Sequence, residues 1–208
     1  MVKLGISKKK WKELKKIKKD LFKKEGHVKE EVFNTHFNFI ERKEGKEGVE
    51  KVKKVLKKLD VPVDFENIES FEWTREAYSS FCIITAKIIF DWTEEDVFEM
   101  GTLAPKVSFV FKMFFKYFTS PKKVFEKASF YWDKHFDFAA LEPVEYNKKE
   151  KYVIVRVKGY KFHPLLCIFQ AGYIKSIAEL AIDTKNLKIE ETKCMFNGDP
   201  YHEFLISY

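Results

Sequence analysis

The residues of this chain with the chemistry to bind a metal or activate a thiol are five histidines (His27, His36, His135, His163 and His202) and three cysteines (Cys82, Cys167 and Cys194). His163 stands beside a predicted helix start and Cys167 follows four residues later. That spacing would let an imidazole and a thiol share a metal or tune each other. Cys194 and His202 flank the turn signal Asn197-Gly198-Asp199-Pro200 and would meet across a hairpin. Two ligands are too few for a closed site, so Cys194, His202, His163 and Cys167 stand as metal candidates with no ion assigned. No HExxH, CxxC, GxSxG, Walker loop or GxGxxG occurs. Glu94, Glu95 and Asp96 fall in the first turn of a predicted helix, where carboxylates complement the helix dipole. No catalytic residue is nominated, and a non-catalytic protein is expected.

The aromatic residues carry more of the functional reading. There are 22 phenylalanines, and aromatic residues make up 17% of the chain. Large flat side chains fill space with few rotatable bonds and often line pockets for apolar or planar ligands. The run Val107–Phe118 is apolar around most of a helix circumference, which predicts a largely buried helix with Lys112 and Lys116 at its wet edge. The expected ligand cavity is lined by Phe81, Phe109, Phe114, Phe130, Trp132 and Phe169, with Tyr173 as a polar handle. The alternative for the same residues is a solid aromatic core.

These residues must be positioned by a mixed set of elements. Ser7 predicts the N-cap of a first helix, with Trp11, Leu14, Ile17 and Leu21 at helical spacing and Gly26 as its stop. Residues 28–43 predict a second helix. Gly45 and Gly48 break the pattern, and a third helix runs to Leu59, ended by Asp60-Val61-Pro62. Thr74 predicts the cap of a helix through about Phe90. Thr93 with Asp96 predicts a capping box, and Gly101 and Pro105 an interruption. Ser120-Pro121 predicts a helix start running to about His135. Beyond it the period changes to two: Val144–Tyr146 and Tyr152–Val157 read as a hairpin, Pro164–Ala181 as a helix, and Leu187–Thr192 and Phe204–Ile206 as strands. Helices followed by strand-strand-helix-strand-strand predict an α+β fold with N-terminal helices packed on a C-terminal antiparallel sheet. One domain over residues 1–208 is expected, with a basic helical segment at 1–59.

The charge is lopsided within a net of +7: residues 1–59 hold 20 Lys+Arg against 9 Asp+Glu. Lys8, Lys9, Lys10, Lys12, Lys15, Lys16, Lys18 and Lys19 would suit phosphates or anionic lipid, so binding of nucleic acid or an anionic surface is the rival function. Arg occurs only at Arg42, Arg75 and Arg156, and Arg is the favoured reader of bases and phosphates. A solvated lysine face is the simpler account. Lys/Glu enrichment is a mark of hyperthermophile proteins, so a thermophilic source is expected. Three cysteines without close spacing argue against a disulfide framework and fit a reducing compartment. No secretory signal is read at the N-terminus, and the longest apolar runs fall short of the ~20 residues of a membrane span. A cytoplasmic location is expected.

The segments His163-Pro164-Leu165-Leu166-Cys167, Ala171-Gly172-Tyr173-Ile174, Ala178-Glu179-Leu180 and Glu191-Thr192-Lys193-Cys194-Met195-Phe196-Asn197-Gly198-Asp199-Pro200, with the final Phe204-Leu205-Ile206, resemble the 4-vinyl-reductase-type domain. That family shares a broad superfamily with heme–nitric-oxide-binding-like proteins and a trafficking-complex (TRAPP) subunit fold. The resemblance spans about residues 30–208 and implies a small-molecule-binding or sensing domain, its apolar ligand held between helices and sheet, often as a dimer. Where the family's turn usually has a second cysteine, this chain has His202. The tyrosine–serine–arginine signature of heme–nitric-oxide sensors is not supplied by Tyr173-Ile174-Lys175-Ser176. On that ground heme is not expected, and the cofactor is left open.

Overall fold

The computed structural model describes residues 4–115, 120–182, 184 and 186–208, without the side chains of residues 110, 114 and 115. Its helices are α1 (Lys8–Leu21), α2 (Val32–Lys58), α3 (Glu76–Phe90), α4 (Glu94–Val107), α5 (Phe109–Phe115), α6 (Pro121–Trp132) and α7 (Leu165–Ala181). Its strands are β1 (His27–Lys29), β2 (Trp73–Arg75), β3 (Ala140–Asn147), β4 (Tyr152–Lys158), β5 (Lys188–Lys193) and β6 (His202–Ser207). The last four form an antiparallel sheet in the order β3-β4-β6-β5, and β1 pairs with β2 in a separate small ladder. This is the α+β arrangement the sequence predicts, with α7 crossing between the two strand pairs.

Several helix starts follow from single side chains. The Ser7 hydroxyl accepts from the Lys10 amide, and the Ser120 hydroxyl from the Lys123 amide with Pro121 behind it. Thr93 and Asp96 close a reciprocal capping box. Each such cap contributes about 1 kcal/mol by satisfying an amide the helix cannot.

Other predicted boundaries move, for physical reasons. The two helices expected on either side of Gly45 and Gly48 are one element, α2, kinked at Gly45 (φ 72°, ψ 179°), a conformation open to glycine alone. Thr74 lies in β2, and Arg75 is the N-cap of α3. Gly101 and Pro105 do not interrupt α4, because Gly101 is where α4 meets α7. Of the buried helix expected over 107–118, Val107 closes α4, Phe109–Phe115 form α5, and residues 116–118 lie outside the described residues. Phe111 is buried, but Phe109 is 59% exposed. Lys112 is exposed as predicted, while Lys116 lies outside the described residues.

The core is continuous. Leu14 and Leu21 of α1, Phe33, Ile40, Val52 and Leu56 of α2, and Phe81, Ile83 and Ile84 of α3 join Val153, Val155 and Val157 of β4 and Phe204 and Ile206 of β6. Alternation along β4 turns every second residue inward, as a half-buried strand requires. Among the described residues no helix is long and apolar enough to cross a membrane.

Candidate functional site

Two chambers open inside the fold, separated by a shared wall of Trp132, His135, Phe136 and Tyr173. The first, with about 110 Å³ of enclosed space and a mouth open to the surface, lies between α6, α7 and the inner face of the sheet. Phe111, Val124, Phe125, Leu141, Val153, Val155, Ile174 and Ile206 give it apolar walls.

The shared wall carries the polar atoms. The Nδ1 of His135 lies 3.1 Å from the Tyr131 carbonyl, one turn back, so Nδ1–H donates and the Nε2 lone pair is left. That Nε2 is buried and has no hydrogen-bond partner, and neither has the indole N–H of Trp132. Burial holds the His135 pKa below its ordinary value, so the ring is neutral. Trp132 stacks on Phe136 with ring centroids 4.3 Å apart. Burial also pushes the Tyr173 hydroxyl well up, which keeps it protonated.

The second chamber, smaller at about 60 Å³ of enclosed space, lies between the start of α2, α3, the end of α4 and the first half of α7. It is polar inside. Glu76, at the N-terminus of α3, accepts on Oε1 from the Ser80 hydroxyl (2.7 Å) and the Tyr160 hydroxyl (2.6 Å). Burial pushes its pKa up to about 7, against those hydrogen bonds, which pull it down. His36 approaches the Ser79 hydroxyl through Nε2 at 3.2 Å, and burial drops its pKa to about 3.

A third cluster lies where α7 meets the hairpin of β5 and β6. The Cys167 Sγ is 3.8 Å from the Cys194 Sγ and 3.7 Å from the His202 Nδ1, and Nδ1 is 2.8 Å from the Glu191 Oε1. All four donor atoms lie within 4.8 Å of one another. Tetrahedral zinc with thiolate, imidazole and carboxylate ligands sets donor–donor separations of roughly 3.3–3.8 Å. The sulfur–sulfur and sulfur–nitrogen distances match that edge. The local fold explains the convergence. The turn after β5 is clamped by Asp199, which accepts from the Cys194 amide at 2.8 Å, with Gly198 at φ 100°. A register shift between Glu191 and Lys193 locally rearranges β5 beside the cluster. His202 is fully buried, and its Nε2 faces the Tyr160 carbonyl at 2.8 Å, which turns Nδ1 toward the cluster.

Trp132 and Tyr173 line both chambers and Phe169 lines the second. Phe81 packs in the core against Phe22 at 5.5 Å. Phe130 is 50% exposed and Phe109 more so, and the side chain of Phe114 lies outside the described residues. Of the four metal candidates, Cys167, Cys194 and His202 come together. His163 does not, because its Nδ1 accepts from the Leu165 amide at the start of α7. Of the α1 lysines, Lys10 pairs with Asp91, Lys18 donates to the Leu59 carbonyl, and Lys8, Lys9, Lys12, Lys15, Lys16 and Lys19 are exposed.

Sequence reasoning passed over His135, Glu191, Gln170 and Glu76. Glu191 was within reach, since alternation through 187–192 puts it on the face of Ile189. Gln170 is a lone polar residue on an otherwise apolar helix face, which is a signal of the same kind.

No family model matches the sequence, and no curated protein matches it. The fold is that of H-NOX domains, and the likeness extends over nearly their whole length. An H-NOX protein from Shewanella oneidensis, in its Fe(II)NO ligation state, superposes with a TM-score of 0.65 at 13% identity, covering 86% of this chain and 98% of that one. The unliganded Fe(II) H-NOX protein from K. algicida gives 0.58 at 11% identity, covering 86% and 96%. A doubly substituted Tt H-NOX gives 0.61 at 12% identity, covering 87% and 95%. The expectation that heme has no place here is corrected by this likeness: the structures that share the fold are iron-ligated proteins, and one is described by its heme redox potential. The short tyrosine–serine–arginine pattern misled because a fold outlasts any one motif at such low identity.

Proposed function

We propose that the chain is a non-catalytic sensory domain that holds a flat apolar ligand in the first chamber, with a heme-type macrocycle as the leading occupant. The observation that carries this reading is His135: a half-buried imidazole, fixed by its Nδ1 to a backbone carbonyl, with a buried, unpartnered Nε2 at an aromatic cavity. A metal-ligating histidine has this arrangement, its other nitrogen donating to a carbonyl so that ring and tautomer are set. Phe111, Phe125, Trp132 and Phe136 would flank the macrocycle, and His135 would hold its iron. When bound, the group would supply an iron site for a diatomic such as NO or CO, the ligands named for the H-NOX neighbours. Adding heme to the purified chain should give a saturable Soret band, and His135→Ala should shift that band and weaken binding. A chain that takes up no heme, or a His135→Ala variant with an unchanged spectrum, would remove the heme reading. Co-purification of a different apolar molecule would leave the cavity reading standing.

The Cys167, Glu191, Cys194 and His202 cluster favours a second, compatible reading, a structural metal centre. Two thiols, an imidazole and a carboxylate form a complete donor set for zinc. Such an ion would tie α7 to the β5–β6 hairpin and brace the far end of the helix that carries Tyr173.

A further inference from the structure

We infer a second binding site, in the polar chamber beyond the Trp132–His135–Tyr173 wall, for a small neutral molecule of the carboxamide, lactam or urea class that presents a hydrogen-bond donor and acceptor side by side. The reading does not depend on what occupies the first chamber.

Gln170 carries the inference. It sits on α7, is only 5% exposed, and lines this chamber. Neither its carbonyl oxygen nor its amide nitrogen has a hydrogen-bond partner. A buried carboxamide offers two donors and an acceptor with two lone pairs. Leaving all of them unmade is rare in native interiors, and a group so left calls for a partner outside the chain. A second orphan lines the same chamber: His36, 2% exposed, has its Nε2 at Ser79 and no partner on Nδ1.

The chemistry of the guest follows from the wall. Burial keeps His36 neutral, and a charged guest would lose hydration that the chamber does not replace. Lys29, at the rim, donates to the Phe71 carbonyl at 2.6 Å and lies over the Trp73 ring. Glu76 already accepts from Ser80 and Tyr160. Glu31, buried in the same lining, is engaged within the chain. The Gln170 amide presents its donor and acceptor together, and its complement is another such pair in a two-bond ring. One water can satisfy part of this set, but it cannot place a donor and an acceptor against the amide with the geometry of a second carboxamide.

The test uses the full chain with benzamide and 2-pyrrolidone as probes, and toluene as an apolar control. The expected result is saturable binding of both amides in calorimetry, with the side-chain amide signals of Gln170 shifting in NMR spectra. Toluene should not compete. Gln170→Leu, close in volume, should keep the fold by circular dichroism and lose at least about tenfold in affinity, since a site built to hydrogen-bond discriminates strongly when the bond is removed. Absence of saturable binding up to roughly 10 mM would overturn the proposal. So would equal binding by Gln170→Leu, or a crystal structure soaked with benzamide that shows only water at Gln170.

Discussion

The Nε2 of His202 lies 2.8 Å from the carbonyl oxygen of Tyr160, and the hydroxyl of that same tyrosine lies 2.6 Å from Glu76. One residue therefore touches the cysteine cluster through its backbone and the polar chamber through its side chain. The bond fixes one of the histidine's roles: Nε2–H donates to the carbonyl, and Nδ1 faces Glu191 and Cys167. A bare nitrogen and a carboxylate oxygen at 2.8 Å repel unless a proton or a cation sits between them.

The first prediction follows from that pair. The chain purified without chelator should carry one zinc by native mass spectrometry, and Cys194→Ser should lose it. Cobalt substitution should give a thiolate charge-transfer band. Loss of the metal should cost at least about 2 kcal/mol, lowering Tm by roughly 4–8 °C. A metal-free chain, or one whose Tm ignores both chelator and the cysteine change, would eliminate the centre.

The second prediction is a pH dependence set by Glu76. Its folded pKa is pushed up to about 7, well above the usual carboxylate range, so the folded state binds the proton more tightly than the unfolded state does. Stability from this group is fully present below the unfolded value. It declines as pH rises through about 7, by about 3 kcal/mol over the window. Glu76→Gln keeps an acceptor for Tyr160 and Ser80 without the ionisation. Urea unfolding at about pH 5 and about pH 8, on either side of that window, should show a fall for the parent chain that the variant lacks. Equal falls in both chains would assign the slope to other groups.

The third prediction concerns the kink in α2. Gly45 has φ 72° and ψ 179°, and a Cβ there would meet nothing within 4 Å. Gly45→Ala should therefore cost about 1–3 kcal/mol from backbone strain alone, although alanine is the better helix former. A stabilised variant in chemical denaturation would mean that the helix runs straight through.

How much of this was legible in the sequence depends on range. Ser7, Thr93–Asp96 and Ser120-Pro121 announce their helices because a cap is a local contact, three residues long. The β3–β4 hairpin and the β5–β6 turn are equally local. The chambers are not: Trp132 and Tyr173 were foreseen as pocket residues because they are aromatic, but so were Phe109 and Phe130, which lie on the surface. Composition cannot tell which side of a helix will be covered. The cysteine cluster was half visible. Glu191, Cys194 and His202 share the β5–β6 hairpin, whereas Cys167 joins them only through the docking of α7, a tertiary event that no spacing encodes. The heme signature failed for the opposite reason, being a local motif asked to stand for a whole fold.

The last prediction tests that docking. α4 and α7 approach through two glycines, each facing the other helix's backbone. A Cβ on Gly101 would lie 2.1 Å from the Phe169 carbonyl oxygen, and one on Gly172 would lie 2.1 Å from the Phe98 carbonyl oxygen. Both obstacles are helical backbone, which cannot swing aside as a side chain can. Intrinsic propensity alone would make Gly→Ala in a helix interior stabilising by about 1 kcal/mol. Overpacking costs about 1–3 kcal/mol and more where backbone must move, so the sign should reverse. Gly101→Ala and Gly172→Ala should each lose about 2 kcal/mol or more in urea unfolding. The same shift should move Tyr173, one residue past Gly172, and weaken heme uptake in the first chamber together with amide binding in the second. If either alanine variant is as stable as the parent, the helices do not meet at these glycines. The wall that both chambers share would then need another anchor.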